Sequence, residues 1–194
     1  VCVQESIADE FVSLLKKKAE AMKLGCAYDE DTDLGPVVNA GHKEKICNWI
    51  QKGIDEGAEL VLDGRNAVVP GYENGFFVGP TILDHVTPEM TVGNREIFGP
   101  VTCIKRVKDY EEGIAVMNAN PFANGSCIFT QSGYYSRKFT METDGGMVGI
   151  NVGIPVPTAY FPFSGNKDSF FGDLHVLGKD GYRFFTRAKT VTTH

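Results

Sequence analysis

The run Arg95-Glu96-Ile97-Phe98-Gly99-Pro100-Val101-Thr102-Cys103-Ile104-Lys105-Arg106-Val107 turns a bend into a strand. Gly99-Pro100 punctuates the chain, and the residues from Val101 to Val107 then alternate in the manner of a half-buried strand. A capping box follows, Asp109-x-x-Glu112, and opens a helix carrying Ile114, Ala115 and Met117. Pro121 biases Asn120 away from helix and ends it. Ser126 to Thr130 forms the next strand. Ser132 caps a helix through about residue 143, with Tyr135 and Phe139 buried, and Gly145-Gly146 turns into a strand over Met147 to Val152. The order strand, helix, strand, helix, strand, with each crossover long enough to hold a helix, predicts α/β layering on a mostly parallel sheet. Ligands of such sheets sit beyond the carboxyl ends of the strands, and Asn151 lies at one such end.

Toward the amino terminus, Val1-Cys2-Val3 reads as a strand already under way. Ser6 is the expected cap of a helix reaching about Lys23, with Ile7, Phe11, Leu14, Leu15 and Met22 on its buried face. Its lysines are expected to form a solvated face. Tyr28 to Asp33 is an acidic loop without the Gly and distal Glu of a calcium loop. Asn39 caps a second helix, about residues 40 to 56, with Ile46, Ile50 and Ile54 buried, Trp49 at its edge and Gly57 as its stop. A short strand at Glu59 to Leu62 and an extended segment over Phe76 to Leu83 precede the bend. Toward the carboxyl terminus, residues 153–172 form a long irregular stretch rich in Pro, Gly and aromatics. Stretches of that kind are usually functional or packed as lids. A short helix near residues 181–186 leads to a polar strand, Ala188 to Thr193, whose edge needs a partner from another segment or subunit.

Composition bounds the function classes. The 194 residues are 42% hydrophobic and 23% charged, as in ordinary globular proteins, and the formal net charge is -6. No basic run or basic helix face favours nucleic acid or an anionic membrane, and no apolar run approaches the about 18 residues of a membrane span. The five cysteines (2, 26, 47, 103 and 127) and four histidines (42, 85, 175 and 194) show neither C-x-x-C nor ligand spacing. Structural zinc and a disulfide framework are therefore disfavoured, and a reducing compartment is favoured. The sequence contains no G-x-S-x-G nucleophile elbow and no G-x-G-x-x-G dinucleotide fingerprint. The cysteines read as small core fillers. Cys26 is the most exposed of them, and its acidic neighbours disfavour a thiolate. His175 is open to two readings: a general base paired with Asp173, or a packing histidine, which is preferred.

Several segments, in order and spacing, resemble the aldehyde dehydrogenase superfamily. These are Glu96-Ile97-Phe98-Gly99-Pro100, Asp33-Leu34-Gly35-Pro36, Gly79-Pro80-Thr81, Asn120-Pro121-Phe122-Ala123-Asn124-Gly125 and Gly146-Met147-Val148-Gly149-Ile150-Asn151. Further segments resemble its CoA-acylating methylmalonate-semialdehyde dehydrogenase branch. They are Asn151-Val152-Gly153-Ile154-Pro155-Val156-Pro157, Phe171-Gly172-Asp173-Leu174-His175 and Gly181-Tyr182-Arg183-Phe184-Phe185-Thr186, with the G-x-K-x-S step at Gly165-Asn166-Lys167-Asp168-Ser169. Arg95 and Gly153 depart from the family's usual residues.

The resemblance implies NAD as cofactor, CoA as co-substrate and a small semialdehyde, malonic or methylmalonic, as substrate. It implies that Glu96 accepts from the nicotinamide ribose and that Phe98 lies beside the nicotinamide ring. Phe161 and Phe163 would line the substrate pocket, on a loop that Asn151 would hold by side-chain hydrogen bonds. It assigns no catalytic residue or metal ligand to this chain, and expects the nucleophilic Cys and the NAD-binding domain upstream of Val1. Residues 1–187 would be a carboxyl-terminal catalytic-domain portion, inactive alone, and residues 188–194 an oligomerisation strand joining subunits of a homo-oligomer. The expected location is the cytoplasm, or the mitochondrial matrix in a eukaryote. A noncatalytic α/β scaffold and a non-acylating aldehyde dehydrogenase are the competing readings.

Overall fold

The structure, a computed structural model, describes all 194 residues. It divides into two compact units, Val1–Gly113 and Ile114–His194, each with its own sheets.

In the first unit, β1 (Cys2–Gln4) runs straight into α1 (Glu5–Glu20). Ser6 does not cap this helix. The cap position is Gln4, which is extended because it still belongs to the strand, and no side chain caps it. Instead Arg106 forms ion pairs with Glu5 at 3.3 Å and Asp9 at 2.8 Å, both in the first turns. The buried stripe is also rotated from the expected one. Ala8 and Ala19 are buried and Phe11, Val12 and Leu15 pack beside them, whereas Ile7, Leu14 and Met22 are exposed. Alanines at the contact let the helix backbone approach the sheet, and the larger side chains turn outward.

Helix α2 (Ala40–Asp55) starts as expected: the Asn39 side chain accepts from the His42 backbone N–H at 2.8 Å. Ile46 and Ile50 are fully buried, and Gly57, at φ +107°, turns the chain out of the helix. The sheet beneath it runs β2 (Glu59–Leu62), β3 (Thr81–Asp84), β4 (Val101–Cys103). Here β2 is antiparallel and β4 parallel to the wholly buried β3. Ile46, Ile50, Val78, Leu83, Val86, Val92 and Ile97 form one core, with Val92 on the one-turn helix α3 (Thr91–Asn94).

The strand expected over 101–107 is divided at Ile104. Its second piece, β5 (Lys105–Val107), leaves β3 and pairs in parallel with β1. Ile104 is fully buried at the step, its N–H donating to the Leu83 carbonyl at 2.8 Å. The expected cap forms with one change of partner: the Glu112 N–H donates to Asp109 Oδ1 at 3.0 Å, while the Glu112 carboxylate reaches one residue past the box's usual partner and accepts from the Lys108 N–H at 2.8 Å. It starts α4 (Tyr110–Ala119).

In the second unit, β6 (Phe122–Ala123) pairs antiparallel with β9 (Asn166–Lys167). β7 (Gly125–Ile128) and β8 (Met147–Ile150) are parallel and joined by α5 (Gly133–Glu142), the expected crossover. Ser132 Oγ accepts from the Tyr135 N–H at 3.4 Å. Phe139 is buried as expected, but Tyr135, one turn before it, is exposed. Helix α6 (Gly178–Phe185) ends the regular structure. Residues 188–193 form no strand in the single chain, since no neighbouring segment offers them a ladder.

The α/β class therefore holds. Three of the five strand pairings are parallel, although the strands are distributed over four small sheets.

Candidate functional site

The bend at residues 95–100 is built from the inside outward. Ile97, 7% exposed, is driven into the core beneath α2, while Glu96 and Phe98 on either side of it are exposed, Phe98 by 76%. Phe98 has φ +55°, a left-handed conformation that a bulky residue adopts only where its surroundings enforce it. Three contacts enforce it. Gly99 lies flat on Ile46, where a Cβ would come within 2.7 Å of Ile46 Cδ1. The Pro100 carbonyl accepts from the Thr81 N–H of β3 at 2.8 Å. The Phe98 carbonyl accepts from His42 Nε2 at 2.8 Å, so Nε2 carries the proton.

The amino-terminal flank is held as firmly. The Glu56 carboxylate, from just past the end of α2, accepts from both the N–H and the hydroxyl of Thr91 at 2.6 Å each. These bonds hold the Glu56 carboxyl below its usual range, the hydroxyl contributing most. One helix thus braces both sides of the bend, through His42, Ile46 and Glu56. His42 and Glu56 are absent from the expected site. A signal for His42 was available: it lies four residues before Ile46 on the stripe that continues to Ile50, so its ring belongs to the packed face.

In the second unit, Asn151 sits at the carboxyl end of β8 with φ +57°. Its side chain does not hold the aromatic loop. Oδ1 accepts from the Thr130 N–H at 2.8 Å and Nδ2 donates to the Thr130 carbonyl at 3.0 Å. The amide thereby mimics a backbone partner and extends the β7–β8 ladder past its last residue. The loop is held by main-chain bonds instead. Phe163 N–H donates to the Val176 carbonyl at 2.7 Å, and Gly178 N–H to the Ala159 carbonyl at 3.1 Å. Phe161 is exposed and Phe163 half-buried.

His175 stacks on Phe170 with ring centroids 4.2 Å apart. Its Nε2 donates to the Gly165 carbonyl at 3.1 Å, and its Nδ1 faces Asp180, not Asp173, at 3.5 Å. These contacts support the packing reading. Lys167 of the G-x-K-x-S step bonds the Asn118 carbonyl at 2.5 Å and pairs with Asp144 at 2.6 Å, placing a cation at the carboxyl end of α4.

All five cysteines are free and partly buried. Burial pushes the Cys2 and Cys103 thiols above their ordinary range, away from the thiolate. No group of three or more His, Cys, Asp or Glu side chains is placed to hold a metal ion.

The Aldehyde dehydrogenase family description matches residues 1–191. The chain belongs to this family. Malonate-semialdehyde dehydrogenase 2 of Oceanobacillus iheyensis is 52% identical over 193 residues, covering 100% of this chain and 40% of that protein. The crystal structure of methylmalonate-semialdehyde dehydrogenase from Oceanimonas doudoroffii superimposes with a TM-score of 0.95 at 44% identity, covering 98% of this chain and 39% of that one. A Sinorhizobium meliloti 1021 protein assigned to the same activity, solved in complex with NAD, gives a TM-score of 0.96 at 42% identity, with 98% and 39% covered. The aldehyde dehydrogenase chain described here spans about 40% of the length of the curated relatives it matches.

Proposed function

We propose that the polypeptide to which these residues belong oxidises malonate or methylmalonate semialdehyde with NAD and releases the acyl group as its CoA thioester. The observation that carries this reading is the bend that buries Ile97 and presents Glu96 and Phe98 outward. The donor set fits a nicotinamide nucleoside: two carboxylate oxygens accept from the paired ribose hydroxyls, and an exposed aromatic face flanks a flat ring. Bound NAD supplies the hydride acceptor. Glu96 orients the ribose and is not a general base. Phe98 walls the ring. Phe161 and Phe163 shield the aldehyde carbon from water, and Asn151 fixes the strand end from which their loop departs.

The thiol that forms the acyl thioester before CoA takes the acyl group is not one of this chain's cysteines. Cys2 and Cys103 are held as thiols by burial. On this reading, which rests on the family motifs and not on the thiols alone, the 194 residues by themselves produce no NADH. Residues 1–187 serve as catalytic-domain portion, and residues 188–194 pair across subunits of a homo-oligomer, giving the exposed terminal segment the ladder it lacks in one chain. No helix is long and apolar enough to cross a membrane, and the cytoplasm is the proposed location.

The test is a steady-state assay of the complete polypeptide with semialdehyde and NAD, with and without CoA. Sustained NADH formation that requires CoA is expected. Turnover indifferent to CoA would instead support a non-acylating enzyme, and no NADH from any aldehyde would support a noncatalytic scaffold. Sustained turnover by the isolated 194 residues would overturn the assignment of the nucleophile elsewhere.

A further inference from the structure

We infer that His42 is a positioning residue for the cofactor-facing bend, setting where the Phe98 ring stands by holding the Phe98 carbonyl. The inference rests on the reading of Phe98 as the wall beside the nicotinamide.

The geometry leads there in steps. Asn39 fixes the first turn of α2 by accepting from the His42 N–H at 2.8 Å. That fixes His42 on the stripe shared with Ile46 and Ile50, both fully buried. The half-buried ring then reaches the bend twice. Nε2–H donates to the Phe98 carbonyl at 2.8 Å, and the imidazole edge meets the Phe98 ring at 61° with centroids 6.5 Å apart. The residue so held has φ +55° and is not glycine, so its conformation depends on neighbours. Ile97 and Gly99 fix the positions of the adjoining residues, but neither fixes the plane of the peptide between Phe98 and Gly99. A donor on its carbonyl does. Losing that donor frees the torsions flanking the peptide and loosens the left-handed turn at Phe98, whose side chain, 76% exposed and lightly packed, has little else to fix where it stands.

The experiment compares His42→Leu, which keeps helix propensity and bulk without a donor, with His42→Gln, whose amide N–H has about the same reach. Both are made in the complete polypeptide. His42→Leu is expected to raise KM for NAD roughly three- to tenfold, the factor for one net hydrogen bond. The semialdehyde and CoA KM values stay within about twofold, and His42→Gln restores most of the loss. Amide hydrogen exchange over residues 95–101 speeds up in His42→Leu and returns toward normal in His42→Gln. A change in all KM values together with a lowered Tm would show a merely structural role and overturn the proposal. So would an unchanged KM for NAD, even with faster exchange. If the unsubstituted protein forms no NADH, the function reading falls by itself, and exchange over 95–101 then decides the His42 anchor: equal rates in both proteins overturn it too.

Discussion

Gly99 gives the sharpest test of how the bend is built. It does not occupy the left-handed region, so replacing it tests space alone. A Cβ at Gly99 would stand 2.7 Å from Ile46 Cδ1, 3.0 Å from Cγ1 and 3.4 Å from Cγ2. Ile46 is fully buried and cannot move aside into solvent. Overpacking of this kind costs about 2 kcal/mol, so Gly99→Ala should lower Tm by about 4–8 °C for a chain of this size. Ile46→Val removes Cδ1, the atom in closest conflict, and by itself costs about 1 kcal/mol. If the effects were independent, the double variant would lose about 3 kcal/mol. The methyl added by Gly99→Ala would instead fill the space vacated by Cδ1. The double variant should then lose only about 1 kcal/mol, a coupling of about 2 kcal/mol. Urea denaturation of the four proteins measures this directly. Gly99→Ala within about 0.5 kcal/mol of the parent, or additivity within about 0.5 kcal/mol, would refute the contact as the reason for glycine.

Two further predictions concern the supports of each unit. Asp84 is buried against Arg106, with Oδ2 2.8 Å from Nη2, and accepts from the His85 N–H at 2.7 Å. Burial pushes its carboxyl up, but the Arg106 and His85 bonds outweigh that and hold it below its usual value. A carboxyl depressed on folding stabilises fully above its unfolded pKa, about 4, and loses that contribution as pH falls toward the folded value. Arg106→Met should cost about 3 kcal/mol at pH 7 by leaving Asp84 unpaired, and Asp84→Asn should flatten the acid limb of stability against pH below about pH 4. An acid limb unaltered by Asp84→Asn would refute this. In the second unit, Asn151→Ala removes two bonds to Thr130 and leaves alanine, which tolerates the left-handed region less well than asparagine, at φ +57°. A loss of about 1–2 kcal/mol is expected, with faster amide exchange at Thr130. Unchanged exchange there would show that the amide does not extend the ladder.

Much of the local structure was legible because its causes are local. The Asn39 cap and the Gly57 stop lie close to the ends of the helix they bound, as does the box formed by Asp109 and Glu112. The crossover from β7 through α5 to β8 follows from segment lengths alone. Legibility failed where a partner far along the chain decided the outcome. Ser6 could cap only if the chain stayed extended through residue 6, but the pairing of β1 with β5 ends at Gln4 and the helix begins at Glu5. The rotated stripe of α1 follows from which residues are small enough to meet the sheet. The division at Ile104 follows from competition between β3 and β1 for one strand.

By itself the sequence determined the family, because Glu96-Ile97-Phe98-Gly99-Pro100 and the other matching segments are contiguous runs that are read without any tertiary contact, and the resemblance they carry singled out Glu96 and Phe98. Only the tertiary structure decided what holds the bend in place. His42 and Phe98 are 56 positions apart, and nothing local to either selects the other as hydrogen-bond partner. Folding α2 over β3 brings the imidazole to the carbonyl. The same holds for Asn151, whose amide had several backbone groups within reach of its sequence and took those of Thr130 because the parallel pairing of β7 with β8 placed them alongside.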